Sequence, residues 1–164
     1  RFNHHYGEIF ALPEAVTDEH VAVLPGKDGR KMSKSYNNTI PLWLPEKQLR
    51  KAIMRIVTNS LEPGEPKDPD DSALFAIYAA FANPEQRADM RKAYGEGIAW
   101  GEAKQQTFEL INSELIQGRE RYEALMAEPD RIEEILSEGA ERARNWAGPF
   151  LAKIRDAVGI RKLG

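Results

Sequence analysis

A mainly α-helical chain, entered through one short strand and a cationic loop, is what this sequence predicts, and three observations predict it. Apolar residues recur at the 3.6-residue helical period over most of the chain beyond residue 45. Breaks at Pro45, Asn83-Pro84 and Glu128-Pro129-Asp130 divide that pattern into separate helices. The one β-like run, Val21-Ala22-Val23-Leu24, is bounded by His20 and Pro25 and has no partner strand in the chain. At 164 residues, 41% hydrophobic and 30% charged, there is material for one domain, or for one domain and part of another.

Residues 1–6 read as the end of a helix that starts upstream, because no N-cap precedes them and Gly7 stands where a left-handed C′ residue belongs. The strand at 21–24 follows, then a loop at 26–39 and an apolar connector held extended by Pro41 and Pro45. Pro45 suits the first position of the next helix, which is expected to bury Leu49, Ile53, Ile56 and Val57. Pro63, Pro66 and Pro69 forbid regular structure over 61–71 and favour a polyproline-like loop. Asp70 or Asp71 is expected to cap a helix over 72–82 that packs through Leu74, Phe75, Tyr78 and Phe81. Asn83 and Pro84 open another over 85–94. Two long helices complete the chain, at 102–127 and 130–158, with a kink or break expected at Gly148-Pro149. Trp100, Tyr122 and Trp146 read as core residues.

The net charge of −3 conceals an asymmetry. Residues 26–55 carry eight bases against Asp28 and Glu46, and residues 141–164 carry six against two acids. Between them, 61–71 holds five acids against Lys67. Such a pattern suits localised anionic partners rather than a uniformly basic surface. No apolar run approaches the roughly 20 residues of a membrane span, and membranes and DNA are not expected partners. Without cysteine there are no disulfides or thiolate metal sites, in keeping with a reducing cytoplasm. His4 and His5 are adjacent and so face apart, His20 is isolated, and no metal site is expected.

Chemistry concentrates in the loop. Lys27, Arg30, Lys31 and Lys34 stand against the single acid Asp28, with Gly26, Gly29, Ser33 and Ser35 between them. Lysine is a point charge on a long stem that can follow a phosphate, and backbone N–H groups beside glycines add donors. A polyphosphate is the natural partner. The strand before the loop would place it over a ligand site, since α/β sheets bind ligands at the carboxyl ends of their strands.

The string Lys31-Met32-Ser33-Lys34-Ser35 resembles the KMSKS signature of class I aminoacyl-tRNA synthetases, and a fixed pentapeptide arises by chance only about once in three million windows. Asp28-Gly29-Arg30 before it and Asn38 after it are shared widely in that class. Arg1-Phe2-Asn3, Tyr6-Gly7-Glu8 with Phe10, Leu12-Pro13-Glu14-Ala15 and the segment from Ser72 through Tyr78 are similar to the bacterial tryptophanyl branch of the family. The resemblance runs over essentially the whole chain. It lacks the HIGH-type motif and the first half of the Rossmann fold, so the chain is expected to be the C-terminal half of such an enzyme.

The resemblance implies two regions: residues 1–44 as the end of the Rossmann-type catalytic domain, with its last strand and KMSKS loop, and 45–164 as an α-helical tRNA (anticodon)-binding domain. It implies activation of tryptophan with ATP, accompanied by Mg²⁺ for which this chain offers no dedicated site, and transfer to tRNA. Lys34 and Lys31 are the expected catalytic cations. Lys31, Met32, Ser33, Lys34 and Ser35, with backbone at Ala22 and Val23, are the expected nucleotide contacts. The N-terminal half, a second copy in a homodimer and a mobile loop belong to the same expectation. Arg142, Arg144, Lys153, Arg155, Arg161 and Lys162 are candidate tRNA phosphate contacts. The chain alone is expected to be inactive. A tyrosyl-type or other class I synthetase, and a noncatalytic helical RNA-binding module, are the alternatives.

Overall fold

The computed structural model describes residues 1–17 and 23–160. Among the described residues six α-helices follow one another: α1 Phe2–Tyr6, α2 Glu46–Met54, α3 Ala73–Phe81, α4 Pro84–Gly95, α5 Trp100–Ala127 and α6 Pro129–Ala157. A single 3₁₀ turn, Lys34–Tyr36, lies in the long connection before α2. Among the described residues there is no strand, only an isolated antiparallel bridge between Pro25 and Lys31. Val21 and Ala22, half of the expected strand, lie outside the described residues; Val23 forms a bend and Leu24 has no regular structure. A strand is held by the ladder of a neighbour, and no described segment offers one to Val23.

The chain divides into two compact units, Thr17–Glu123 and Arg1–Val16 with Ala124–Gly164. In the first, one apolar cluster joins Leu49, Ile53 and Ile56 at α2, Leu74, Phe75, Ile77 and Tyr78 of α3, Met90 and Tyr94 of α4, and Ala103, Phe108 and Ile111 of α5. Leu24, Ile40 and Leu44 pack against its edge, so both flanks of the cationic loop are anchored on the helical core. Helix α2 ends at Met54, one turn before the periodicity suggested, and Val57 is 60% exposed rather than buried. Its N–H instead donates to the Lys27 carbonyl at 3.0 Å, tying the loop to the end of α2.

Capping explains where the next helices start. Asn83 and Gln86 form a reciprocal capping box at α4, with Pro84 in its first turn. At α3 the cap is Ser72, not Asp70 or Asp71: Ser72 Oγ accepts the Phe75 N–H at 3.2 Å and is bonded to the Tyr94 hydroxyl at 3.1 Å. Asp70 is engaged elsewhere, holding both terminal guanidinium nitrogens of Arg91 at 2.8 and 3.0 Å. The proline-rich connection is irregular, as expected, yet well tied. Lys67 is 4% exposed, and its ammonium donates to the carbonyls of Glu62 and Glu65, both at 2.9 Å, 5.5 Å from the centre of the Trp100 ring. Trp100 is half-buried, while Tyr122 of α5 stacks on Trp43 at 6.0 Å and stays partly exposed.

In the other unit the Asn3 side chain donates to the Phe10 carbonyl and accepts the Ile9 and Phe10 N–H groups, folding 7–10 back against α1. Phe10 meets Phe2 and Phe150 edge to face, at 4.9 and 5.3 Å. Helix α6 runs unbroken through Pro149 and buries none of its residues. Trp146, expected in a core, is 87% exposed. Periodicity shows which residues share a helix face; it does not show what covers that face.

Candidate functional site

The loop from Gly26 onward is built by its own hydrogen bonds. The Gly26 N–H donates to the Arg30 carbonyl at 2.7 Å, the Gly29 N–H to the Gly26 carbonyl at 3.0 Å, and the Met32 N–H to the Leu24 carbonyl at 2.9 Å. Gly29 has φ 80°, the left-handed conformation that glycine adopts without steric cost, and it closes this tight turn. Asp28 faces inward across the turn. Its carboxylate accepts the Arg30 N–H at 3.1 Å and pairs with the Arg30 guanidinium at 2.6 Å.

Asn38 closes the loop from the other end. Only 2% exposed, it accepts the Ser33 N–H on Oδ1 at 2.8 Å. Its Nδ2 donates to Asp28 Oδ1 at 2.8 Å and lies 3.3 and 3.2 Å from the Arg30 and Lys31 carbonyls. Its own carbonyl accepts the Lys27 N–H at 3.0 Å. The Asn38 amide and then the Arg30 guanidinium hold the Asp28 carboxyl down at about 2, so it is an anion at neutral pH.

Ser33 N-caps the 3₁₀ turn, accepting the Ser35 N–H at 3.3 Å, and the two hydroxyls lie 2.8 Å apart. Asn37 ends the turn in the left-handed region, φ 50°. Arg30 is committed to Asp28 and lies 4.6 Å from the centre of the Tyr36 ring. Lys27, Lys31 and Lys34 pair with no acidic side chain among the described residues. Lys31 and Lys34 are exposed. The loop thus consumes one cation internally and leaves lysines and serine hydroxyls to an anion.

An open cavity of about 710 Å³ lies beside it, lined by Val23, Asp28 and Lys31 on the loop side and by Asp68, Asp70, Asp71 and Trp100 on the other. The far wall carries three carboxylates, Asp70 among them paired with Arg91, and the loop side carries Lys31 with Asp28. Of the residues picked from the sequence, Val23 and Lys31 line this cavity; Ser33, Lys34 and Ser35 do not, Ser33 capping and Lys34 and Ser35 opening the 3₁₀ turn. Met32 is half-buried, and Ala22 lies outside the described residues. Asn38, a class-wide neighbour of the string in sequence, is the residue that closes the loop in the structure. Its signal is weak in sequence: an Asn after a turn commonly bonds backbone, but nothing local shows it reaching back ten residues to Asp28.

The family described as tRNA synthetases class I (W and Y) matches residues 1–115. The chain is 61% identical to a tryptophan–tRNA ligase of Pseudomonas aeruginosa and 55% identical to one of Neisseria meningitidis, with 99% of this chain aligned to each. It spans 37% and 48% of those relatives' own lengths. Among solved structures, the tryptophanyl-tRNA synthetase of Campylobacter jejuni complexed with ADP and tryptophan superposes over 96% of this chain and 50% of its own, at 41% identity and a TM-score of 0.72.

Proposed function

The chain belongs to the class I tRNA synthetases for tryptophan and tyrosine, and on that premise we propose that its enzyme joins tryptophan to ATP, releasing pyrophosphate, and passes the tryptophanyl group from the adenylate to tRNA. The relatives named above carry the tryptophan activity in their names, which supports tryptophan over tyrosine. A single observation carries the reading: an intact Lys31-Met32-Ser33-Lys34-Ser35 string, folded into a capped turn whose lysines are free of acidic partners among the described residues.

Attack of the tryptophan carboxylate on the α-phosphorus breaks the bond to pyrophosphate, and negative charge accumulates on the leaving oxygens. Cations aimed at that charge lower the barrier. Lys34 and Lys31 are the catalytic cations. Ser33 and Ser35 donate to phosphate or hold the turn, while Met32 and the backbone at Val23 and Ala22 border the adenosine. Mg²⁺ arrives with ATP. The loop closes on the nucleotide and reopens for product.

Residues 1–44 belong functionally to the nucleotide-binding domain and 45–164 to the tRNA-binding one. Arg142, Arg144, Lys153 and Arg155 are exposed on α6 and serve as phosphate contacts. Arg161 and Lys162, proposed with them, lie outside the described residues. The remaining strands of the site, and the partner protomer of a homodimer, come from outside this chain. In a full-length enzyme carrying this chain, Lys34→Ala should slow tryptophan-dependent ATP–pyrophosphate exchange by about 10²–10³; an unchanged exchange rate would refute the role.

A further inference from the structure

We propose that Asn38 is the positioning residue of the Lys31–Ser35 loop, acting through the backbone and never touching the nucleotide. The inference deepens the function proposed above and rests on it. Asn38 is the most buried side chain of the loop, and both faces of its amide are used: Oδ1 accepts the Ser33 N–H at 2.8 Å, and Nδ2 donates to Asp28 at 2.8 Å while meeting the Arg30 and Lys31 carbonyls at 3.3 and 3.2 Å. Those partners bracket the catalytic string. Lys31 is held by its carbonyl, and Ser33 by its N–H at the point where the 3₁₀ turn carrying Lys34 begins.

The fit is specific to this side chain. Gly26 lies so close that a Cβ there would collide with the Asn38 amide and stand 2.6 Å from its carbonyl oxygen. A longer side chain at position 38 has no room on that side, and aspartate, though the same size, has no N–H to donate. It would set a carboxylate against Asp28 and two carbonyl oxygens. Loops of this kind lose function by small displacements, since about 1 Å of misplacement costs on the order of 10²-fold in rate.

The experiment compares Asn38→Asp, Asn38→Ala and the swapped pair Asp28→Asn/Asn38→Asp in a full-length enzyme, with Lys34→Ala beside them. Both single variants should lower kcat for ATP–pyrophosphate exchange by about 10²-fold and change KM for tryptophan less than about threefold, because no tryptophan contact is lost. Transfer from preformed adenylate to tRNA should stay within about twofold of wild type, and the melting temperature should fall by only about 5 °C, the cost of breaking one buried hydrogen-bond network in a chain that stays folded. The swapped pair, which restores one donor-to-carboxylate bond, should recover about tenfold of the Asn38→Asp loss. A residue that merely kept the protein folded would depress both steps alike. Wild-type exchange in the single variants while Lys34→Ala is slow would sink this inference alone. If Lys34→Ala is also at wild-type rate, the proposed function falls first. Unfolding of both single variants would assign Asn38 to stability and overturn the positioning role.

Discussion

Asp28 shows how much of the loop's electrostatics is settled by one carboxylate. It takes the guanidinium of Arg30 out of play, so the free lysines, not the arginine, face an incoming anion. Its folded pKa, about 2, lies below the ordinary 3.8 because the Asn38 amide and Arg30 favour the charged form. A depressed carboxyl pKa adds stability that is complete above about pH 4 and lost as pH falls through 2. The loop should therefore keep its internal bonds across the physiological range and loosen only in strong acid. In Asn38→Ala the Asp28 carboxyl, followed by NMR titration, should move upward from about 2 toward 3.8; an unmoved value would mean that Arg30 alone holds it. Asn38 was visible in the sequence as a class-wide companion of the signature string, but not as the residue that closes the loop. Its bonds to positions 28, 30, 31 and 33 depend on tertiary closure that no local pattern encodes.

At the scale of elements, Ser72 has two duties. It caps α3 through the Phe75 N–H and bonds the hydroxyl of Tyr94, which is fully enclosed and whose pKa burial drives up to about 12. Replacing Ser72 by alanine leaves both groups without that partner. Stability in urea should drop by about 1–2 kcal/mol, more than a surface serine costs; a change within 0.5 kcal/mol, about the size of a surface substitution, would show that Asp70 or Asp71 can take over the cap. Helix boundaries were readable where a cap is encoded in adjacent residues, as at Asn83-Pro84; Pro45, expected at the first position of α2, stands one residue before it and lends no side-chain cap. The cap of α3 was misassigned by one or two residues because three candidate acceptors stand in a row, and Arg91, distant in sequence, claims one of them. Of the kink or break expected at Gly148-Pro149, the break does not occur: one missing N–H does not end a helix of 29 residues.

Across the whole molecule, charge separates into a cationic loop, an acidic proline-rich connection and a basic stretch over 141–164. No helix among the described residues is long and apolar enough to cross a membrane. If Arg142, Arg144, Lys153 and Arg155 each neutralise a tRNA phosphate, the logarithm of the binding constant should fall against the logarithm of salt with a slope of about −3; a slope near zero would rule out a phosphate-led contact. The architecture was legible in outline because helical periodicity and caps are local properties. What covers a face is not local, and hence Trp146 was placed in a core it does not occupy. The expected strand at 21–24 lies half outside the described residues, and its lack of a ladder partner in the chain was already readable in the sequence.

The bond from the Val57 N–H to the Lys27 carbonyl has a mechanical consequence. It roots the front half of the loop in the same helix end that seats Ile53 and Ile56, so that half cannot travel without lifting the core. The stretch that follows is tied as well, Met32 to Leu24 and Ser33 to Asn38, so backbone movement is confined to the turn at 34–36, with Asn37 in its left-handed conformation as the rear pivot. Lys34 thus rides on a short arm mounted on rigid ground, which limits how far its ammonium can stray.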